Sequence, residues 1–377
     1  NAGEPAKIKA GGVDLTPSLN ISESRNDNIY RSSTNEQSSN ILVIKPGILA
    51  EIVYGDSLYS LNAKLSDGTY SDGLAKDDDY TDYIIAADAD IALNQNNKIM
   101  LGASISENHE DRGEGITQGI IASATPVEFD QDIFSAGYRL GNDDSMLSVE
   151  LGAGRFDKEY TNFKALAAIR SYKKDDYGLT VYYELAPKTA LLAGYNTASF
   201  EYDVTPSAAE NLDSDEDRIF IGAVWEATGS TTGTVKIGQV DKKFDSASRD
   251  NFSGTTWLAQ VDWTPFKQTV MRVYSAQQPR ETNFGNGNFI DSTITRAIWT
   301  QDWTGLISTT ANYGVGDDDY EGTNRSDDVS NYGISLDYKF RRWLSIGVAY
   351  DFDDRDSNIN ALDFERNSYS LNVSLSL

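Results

Sequence analysis

The last residues of the chain alternate without a break: Tyr369, Leu371, Val373, Leu375 and Leu377 are interleaved with Ser370, Asn372, Ser374 and Ser376. Successive side chains of a β-strand point to opposite faces, so this segment has one apolar face and one small, polar face. Apolar stripes of the same period run through residues 42–52, 59–65, 83–93, 99–105, 134–140, 147–153, 177–185, 219–225, 257–263, 332–340 and 344–352. Less regular ones fall near 190–200, 234–243, 269–277, 293–303 and 306–315. The dominant period is two, not the 3.6 of a helix.

The connections sort by length. Short turns at 55–57, 94–98, 141–145, 187–188, 228–233, 264–268, 304–305 and 341–342 alternate with long polar connections near 22–40, 66–79, 107–128, 157–172, 203–216, 244–254, 279–291, 316–329 and 354–366. Alternation of this kind gathers the tight turns at one end of a sheet and the long loops at the other. Barrels of the bacterial outer membrane are built so, with turns in the periplasm and loops outside. Greek-key sandwiches have no reason to segregate lengths. Eight turns and nine loops imply about 18 strands, or 16 if two of the irregular stripes are loop. The expectation is an all-β, transmembrane, antiparallel up-and-down barrel over residues 13–377. Residues 1–12 are expected to form a flexible periplasmic arm.

Average composition hides such a fold. The chain is 39% hydrophobic, with a mean hydropathy of −0.46. No run approaches the roughly 20 apolar residues of a membrane-spanning helix. Only alternate residues of a barrel strand face lipid, so neither figure argues against a membrane. The 21 Tyr and 6 Trp suit aromatic girdles at the two interfaces. The absence of cysteine excludes disulfides, thiol catalysis and thiolate metal sites. A formal charge of −26 argues against a nucleic-acid partner. The opening NAGEPAK lacks the apolar core of a signal peptide, which suits an exported protein whose signal has been removed.

Catalytic chemistry finds no support. The single histidine, His109, is expected as an exposed residue of the 107–128 loop, away from any barrel serine that a triad would need. No phosphate-binding GxxxxGK[ST] motif is present. Clusters at Asp77–Asp79, at Asp213, Asp215 and Asp217, and at Asp317, Asp318 and Asp319 offer hard oxygens of the kind calcium takes. None has the spacing of a calcium loop, so the expectation is solvated loops and no cofactor. The last trio is the set nearest to a structural calcium site. Acidic loops holding divalent cations against lipopolysaccharide are a second reading of the charge.

Function should lie in the lumen. Opposite the apolar stripes stand Lys45, Lys64, Arg139, Tyr182, Lys236, Gln260, Arg272, Tyr274, Arg296 and Lys339, among acidic neighbours. These residues either line a wet interior and pair across strands or form a path for a polar solute. In the second case basic groups would handle acidic ones, and aromatics would stack on sugar rings.

Residues 233–282 read GTVKIGQVDKKFDSASRDNFSGTTWLAQVDWTPFKQTVMRVYSAQQPRET. The stretch carries Lys236-Ile237-Gly238, Lys243-Phe244, Asp250 with Ser253-Gly254, Trp263-Thr264-Pro265 and Arg280-Glu281-Thr282. Ala193-Gly194-Tyr195 stands upstream, before Phe200 and Tyr202. Over about 90 residues this resembles the β-barrel porin 2 family of outer-membrane proteins associated with exopolysaccharide gene clusters. The resemblance implies a non-enzymatic channel that exports a polysaccharide beside a periplasmic polysaccharide-export protein, and it transfers no catalytic residue. Arg272, Arg296 and Lys236 would then contact an acidic polymer. Two other functions compete with export. One is a general or sugar-uptake porin, typically trimeric, with the 107–128 loop folded inside. The other is a structural or adhesive barrel acting through acidic loops.

Overall fold

The computed structural model describes residues 7–119, 125–142, 145–226, 229–282 and 287–376, apart from the side chains of 73–75. Leu377 and the first six residues of the expected arm lie outside this set. A three-residue strand, β1 (Ile8–Ala10), turns back on β2 (Val13–Asn26). The long strands continue as β3 (Ser39–Tyr54), β4 (Ser57–Tyr70), β5 (Tyr80–Asn94), β6 (Asn97–Glu110), β7 (Val127–Leu140), β8 (Leu147–Tyr160), β9 (Tyr172–Ala186) and β10 (Thr189–Tyr202). They go on as β11 (Ser214–Trp225), β12 (Thr231–Phe244), β13 (Phe252–Phe266), β14 (Thr269–Arg280), β15 (Phe289–Asp302), β16 (Ile307–Glu321), β17 (Ser326–Arg341), β18 (Leu344–Ser357) and β19 (Phe364–Ser376). Each pairs antiparallel with its sequence neighbours. β19 closes on β2 through Ser376↔Ser18 to Ser368↔Asn26. The eighteen long strands therefore form a closed up-and-down barrel, and every irregular stripe of the sequence is a strand.

Alternation reads directly as inside and outside. On β11, Ile219 and Ile221 are each 63% exposed on the outer face, whereas Phe220 between them is 6% exposed on the inner one. The outer face carries the apolar stripes, and a ring of large exposed aromatics, Tyr54, Phe266, Trp303, Phe340 and Trp343, marks the end with the short turns. Such a girdle sits where lipid meets water. The interior is hollow and polar, so this molecule has no central core. Its clusters of buried apolar side chains lie instead under the long loops. Tyr202, Leu212, Phe244 and Phe289 form one such cluster, Val127, Tyr160 and Ala167 a second, and Ile29 and Tyr70 a third.

Two expectations about the long-loop end need correcting. Residues 316–329 are almost entirely strand: β16 runs to Glu321 and β17 starts at Ser326, leaving only 322–325 as a connection. The ladder outlasts the lipid-facing stripe, because backbone pairing needs no apolar side chain once the outer face meets water. Asp317, Asp318 and Asp319 therefore sit on β16 with side chains on alternate faces, not together in a loop. Asp318 points inward to Arg280 at 2.8 Å and Ser292 at 2.6 Å. Among the described residues no group of acidic or histidine side chains is arranged to hold a metal. His109 is likewise on a strand, near the end of β6. It lies between Asp82 at 2.9 Å and Asp111 at 3.2 Å, stacked on Tyr80 with ring centroids 3.8 Å apart. Its side chain is 12% exposed, so it is not the open loop residue expected.

Candidate functional site: the lumen wall

Strands β12–β15 place three of the expected lumen residues, Gln260, Tyr274 and Arg296, in one cross-strand row with Thr234. Thr234 faces Gln260, Gln260 faces Tyr274, and Tyr274 faces Arg296. One step toward the short turns, Asp262 faces Arg272. The two bond through both guanidinium arms, Nε to Oδ1 at 2.6 Å and Nη2 to Oδ2 at 2.7 Å. Arg272 is thus paired across strands while its side chain stays half exposed to the lumen. Lys236, on the next row of β12, lies 5.0 Å from the Phe220 ring centre.

Two cavities meet on this wall. One, of about 850 Å³, opens toward the long loops between β7 and β14, past Lys174, Asp176, Arg218 and Arg280. The other, of about 1000 Å³, lies toward the short turns and is bounded by Arg139, Tyr182, Glu184, Gln260 and Asp262. Lys236 borders both. The wall between is kept thin by glycine. The Phe220 ring lies flat over Gly194, where an added Cβ would come within 2.3 Å of Phe220 Cζ. At Gly238 a Cβ would fall 2.0 Å from the Ile219 carbonyl oxygen, so the two strands approach as closely as backbone allows.

Most charges facing this space are neutralised locally. Arg218 holds Glu216 at 2.9 Å, Lys174 holds Asp176 at 3.2 Å, and Arg139 faces Glu150 across β7 and β8 while lying 5.4 Å from the Tyr182 ring centre. The remaining expected residues are spread around the barrel. Lys45 and Lys64 project from β3 and β4, on the far wall, and Lys339 stands near the short turns opposite Ser345. Lys45, Lys64, Gln260, Arg272, Arg296 and Lys339 are exposed to the lumen; Arg139, Tyr182, Lys236 and Tyr274 are half-buried.

Sequence reasoning missed the polar groups that shape the long-loop end. Lys242, fully buried, donates to Glu281 at 2.6 Å and lies 3.8 Å from the Phe200 ring centre. Tyr202 donates its hydroxyl to the same carboxylate. Glu281 directly follows β14, yet it reaches β12 and β10, so the chain leaving β14 is drawn inward. On the other side residues 27–38, 71–79 and 111–119 clasp one another. Arg112 grips Asp78 through Nε and Nη2, each at 2.5 Å, and lies 4.5 Å from the Tyr30 ring centre. Arg31 reaches Asp111 at 3.3 Å and Glu114 at 2.6 Å. Gly113 has φ +89°, and a Cβ there would sit 1.9 Å from the Tyr30 carbonyl oxygen. Burial pushes the Tyr30 hydroxyl up to about 12, with help from the Asp78 charge. Burial also pushes the Asp111 carboxyl up, but the His109 hydrogen bond and the Arg31 charge outweigh it and hold the group at about 2.

The family described as "Putative beta-barrel porin 2" matches residues 1–377, the whole chain. Among solved structures, the outer membrane protein OpdK from Pseudomonas aeruginosa superposes with a TM-score of 0.51 at 13% identity, covering 97% of this chain and 99% of that one. A BenF-like porin from Pseudomonas fluorescens Pf-5 gives 0.52 at 10% identity, with 97% and 99% covered. OccAB3 from Acinetobacter baumannii gives 0.50 at 11%, with 98% and 100% covered. At these identities the likeness is one of fold. No curated protein sequence matches this one.

Proposed function

Since the chain belongs to the beta-barrel porin 2 family and is an integral outer-membrane channel rather than an enzyme, we propose that it passes small polar solutes along the β7–β15 wall. The observation that carries this reading is the position of Lys236 at the junction of the two cavities. A solute leaving one cavity for the other meets an ammonium over an aromatic ring, with Gln260 and Thr234 beside it as hydrogen-bonding groups. Each such contact replaces part of a hydration shell without binding tightly, which conduction requires. OpdK, which shares the fold, has been solved with vanillate.

Export of an exopolysaccharide is the competing reading, and the long-loop end supports it less. There the buried cluster of Tyr202, Leu212, Phe244 and Phe289 and the Arg112–Asp78 clasp tie the loops to one another. A continuous polymer would have to thread between them.

Liposome swelling with solutes of graded size separates the two. Monosaccharides and small organic acids should enter readily, and uptake should fall steeply at tri- and tetrasaccharides. Lys236→Glu should slow acidic solutes relative to neutral ones. Equal entry of long oligosaccharides, or acid uptake indifferent to the Lys236 substitution, would sink the small-solute reading.

A further inference from the structure

Lys45 and Lys64 form a feature that the solute path on the opposite wall does not use. β3 and β4 pair through Ile44↔Asp67 and then Gly47↔Lys64, which makes Lys45 the diagonal neighbour of Lys64 on the lumen face. Diagonal partners on adjacent strands root about 7–8 Å apart, within reach of two lysine side chains. The ladder skips Lys45 and Pro46, and a proline has no N–H to give it. Gly47 then makes room for its partner. A Cβ there would stand 3.2 Å from Lys64 Cγ and 3.0 Å from Ser18 Oγ, so the Lys64 stem lies across β3, toward the strand that carries Lys45.

Neither lysine has a carboxylate within 4.0 Å among the described residues, and both are exposed to the lumen. Several other inward cations are paired, although Lys236, Arg296 and Lys339 also have no carboxylate within 4.0 Å among the described residues. Lys98 holds Asp90 at 2.9 Å, Lys174 holds Asp176 at 3.2 Å, and Arg272 holds Asp262 at 2.6 Å. Like charges set side by side on a sheet repel. The groups directly across from them are neutral: Asn20 faces Lys45, Ser18 faces Gly47 and Ile84 faces Lys64, while Asp82, diagonal to Lys64, is held by His109.

We propose that Lys45 and Lys64 form a binding station for a tetrahedral oxyanion, a phosphate or phosphoryl group carried by a solute in the lumen. The proposal rests on the channel reading only in that the site must be reached through the lumen. Two ammonium groups on flexible stems, each with three donors, suit a compact multivalent oxyanion; a planar carboxylate is better matched by the guanidinium fork. Asn20 and Ser18 supply neutral partners at the edge of the site.

The test is phosphorus NMR of inorganic phosphate and of a hexose phosphate, titrated with the full-length protein in detergent micelles. Line broadening should saturate with the unmodified protein and with Lys339→Gln, which removes another exposed lumen lysine. In the double variant Lys45→Gln, Lys64→Gln, apparent affinity should fall roughly tenfold or more. The single variants carry the same criterion should the double one not fold. Tighter binding of the hexose phosphate would identify an organic phosphate as the ligand, and equal binding would identify free phosphate. No saturable broadening by the unmodified protein, or unchanged affinity in the lysine variants, overturns the station. Bilayer conductance recorded in parallel keeps the two readings apart. A closed barrel that still binds phosphate refutes the channel path alone, and an open one that does not bind refutes the station alone.

Discussion

Asp262 accepts both hydrogen bonds of the Arg272 guanidinium, at 2.6 and 2.7 Å, in a cross-strand pair that faces the lumen. The pair turns what looks like a free cation into a nearly neutral unit on the wall. Asp262→Asn should release that charge. The expected outcome is a reversal potential shifted toward anions in a salt gradient, with a stability change of no more than about 1 kcal/mol, because the pair is solvated. An unshifted potential would mean that Arg272 is silenced by something other than Asp262.

The Lys242–Glu281 pair should behave in the opposite way. Its members are 0% and 7% exposed, so removing one partner strands a buried charge. Glu281→Ala should cost about 3–5 kcal/mol. The effect should appear as a lower temperature for the heat-modified shift in gel mobility. Lys242→Met combined with Glu281→Leu should recover most of the loss. If the double variant is as weak as the single one, buried charge is not what the pair manages.

Gly113→Ala tests the clasp between residues 27–38 and 111–119. The added methyl meets the Tyr30 carbonyl at 1.9 Å on a backbone already at φ +89°. The strain should amount to ~1–3 kcal/mol, enough to part the two loops while leaving the barrel intact. Limited proteolysis of intact cells should then cut near 111–119 in the variant and spare the unmodified protein. Equal resistance would show that the loops are held elsewhere.

Acid should loosen the same clasp late. Asp111 sits at about 2, below its ordinary 3.8, held there chiefly by His109 and Arg31 against the opposing effect of burial. A depressed carboxyl lends stability that is fully present above the ordinary value and is lost as pH falls toward the folded one. Hydrogen exchange at 111–119 should therefore be flat from neutral pH to about 4 and rise between about 4 and 2. Asp111→Asn should show raised exchange at every pH and no such step. A step near pH 5 instead would assign the titration to another group.

The barrel was legible because lipid imposes its pattern on every second residue. Ile219 and Ile221 declare their face whatever lies between them. Strand ends were harder to read. Past the lipid, the outer face of β16 carries Asp317 and Asp319, which look like loop although the ladder continues. Counting outward from the turn at 264–268 puts Asp262 opposite Val270; an irregularity in the ladder between Trp263 and Phe266 brings it to Arg272 instead, so that pair is not legible from the turn alone. Nor is the Lys242–Glu281 pair. Glu281 reaches over two strands to find its partner, and only the inward course of the chain after β14 brings them together. Alternation alone puts the lumen lysines on the inner face, whereas which of them are paired depends on how far each side chain reaches across the strands.

The closure of β19 on β2 also dictates how the molecule must assemble. Every other strand meets a neighbour from its own hairpin or the adjacent one, whereas Ser376 and Ser18 are separated by nearly the entire polypeptide. Joining such distant segments carries the largest chain-entropy cost, while the hairpins can form locally. Until that seam zips, the growing sheet has two bare edges at once, one from each end of the chain. Whatever machinery inserts this protein has to guard both edges until they find each other.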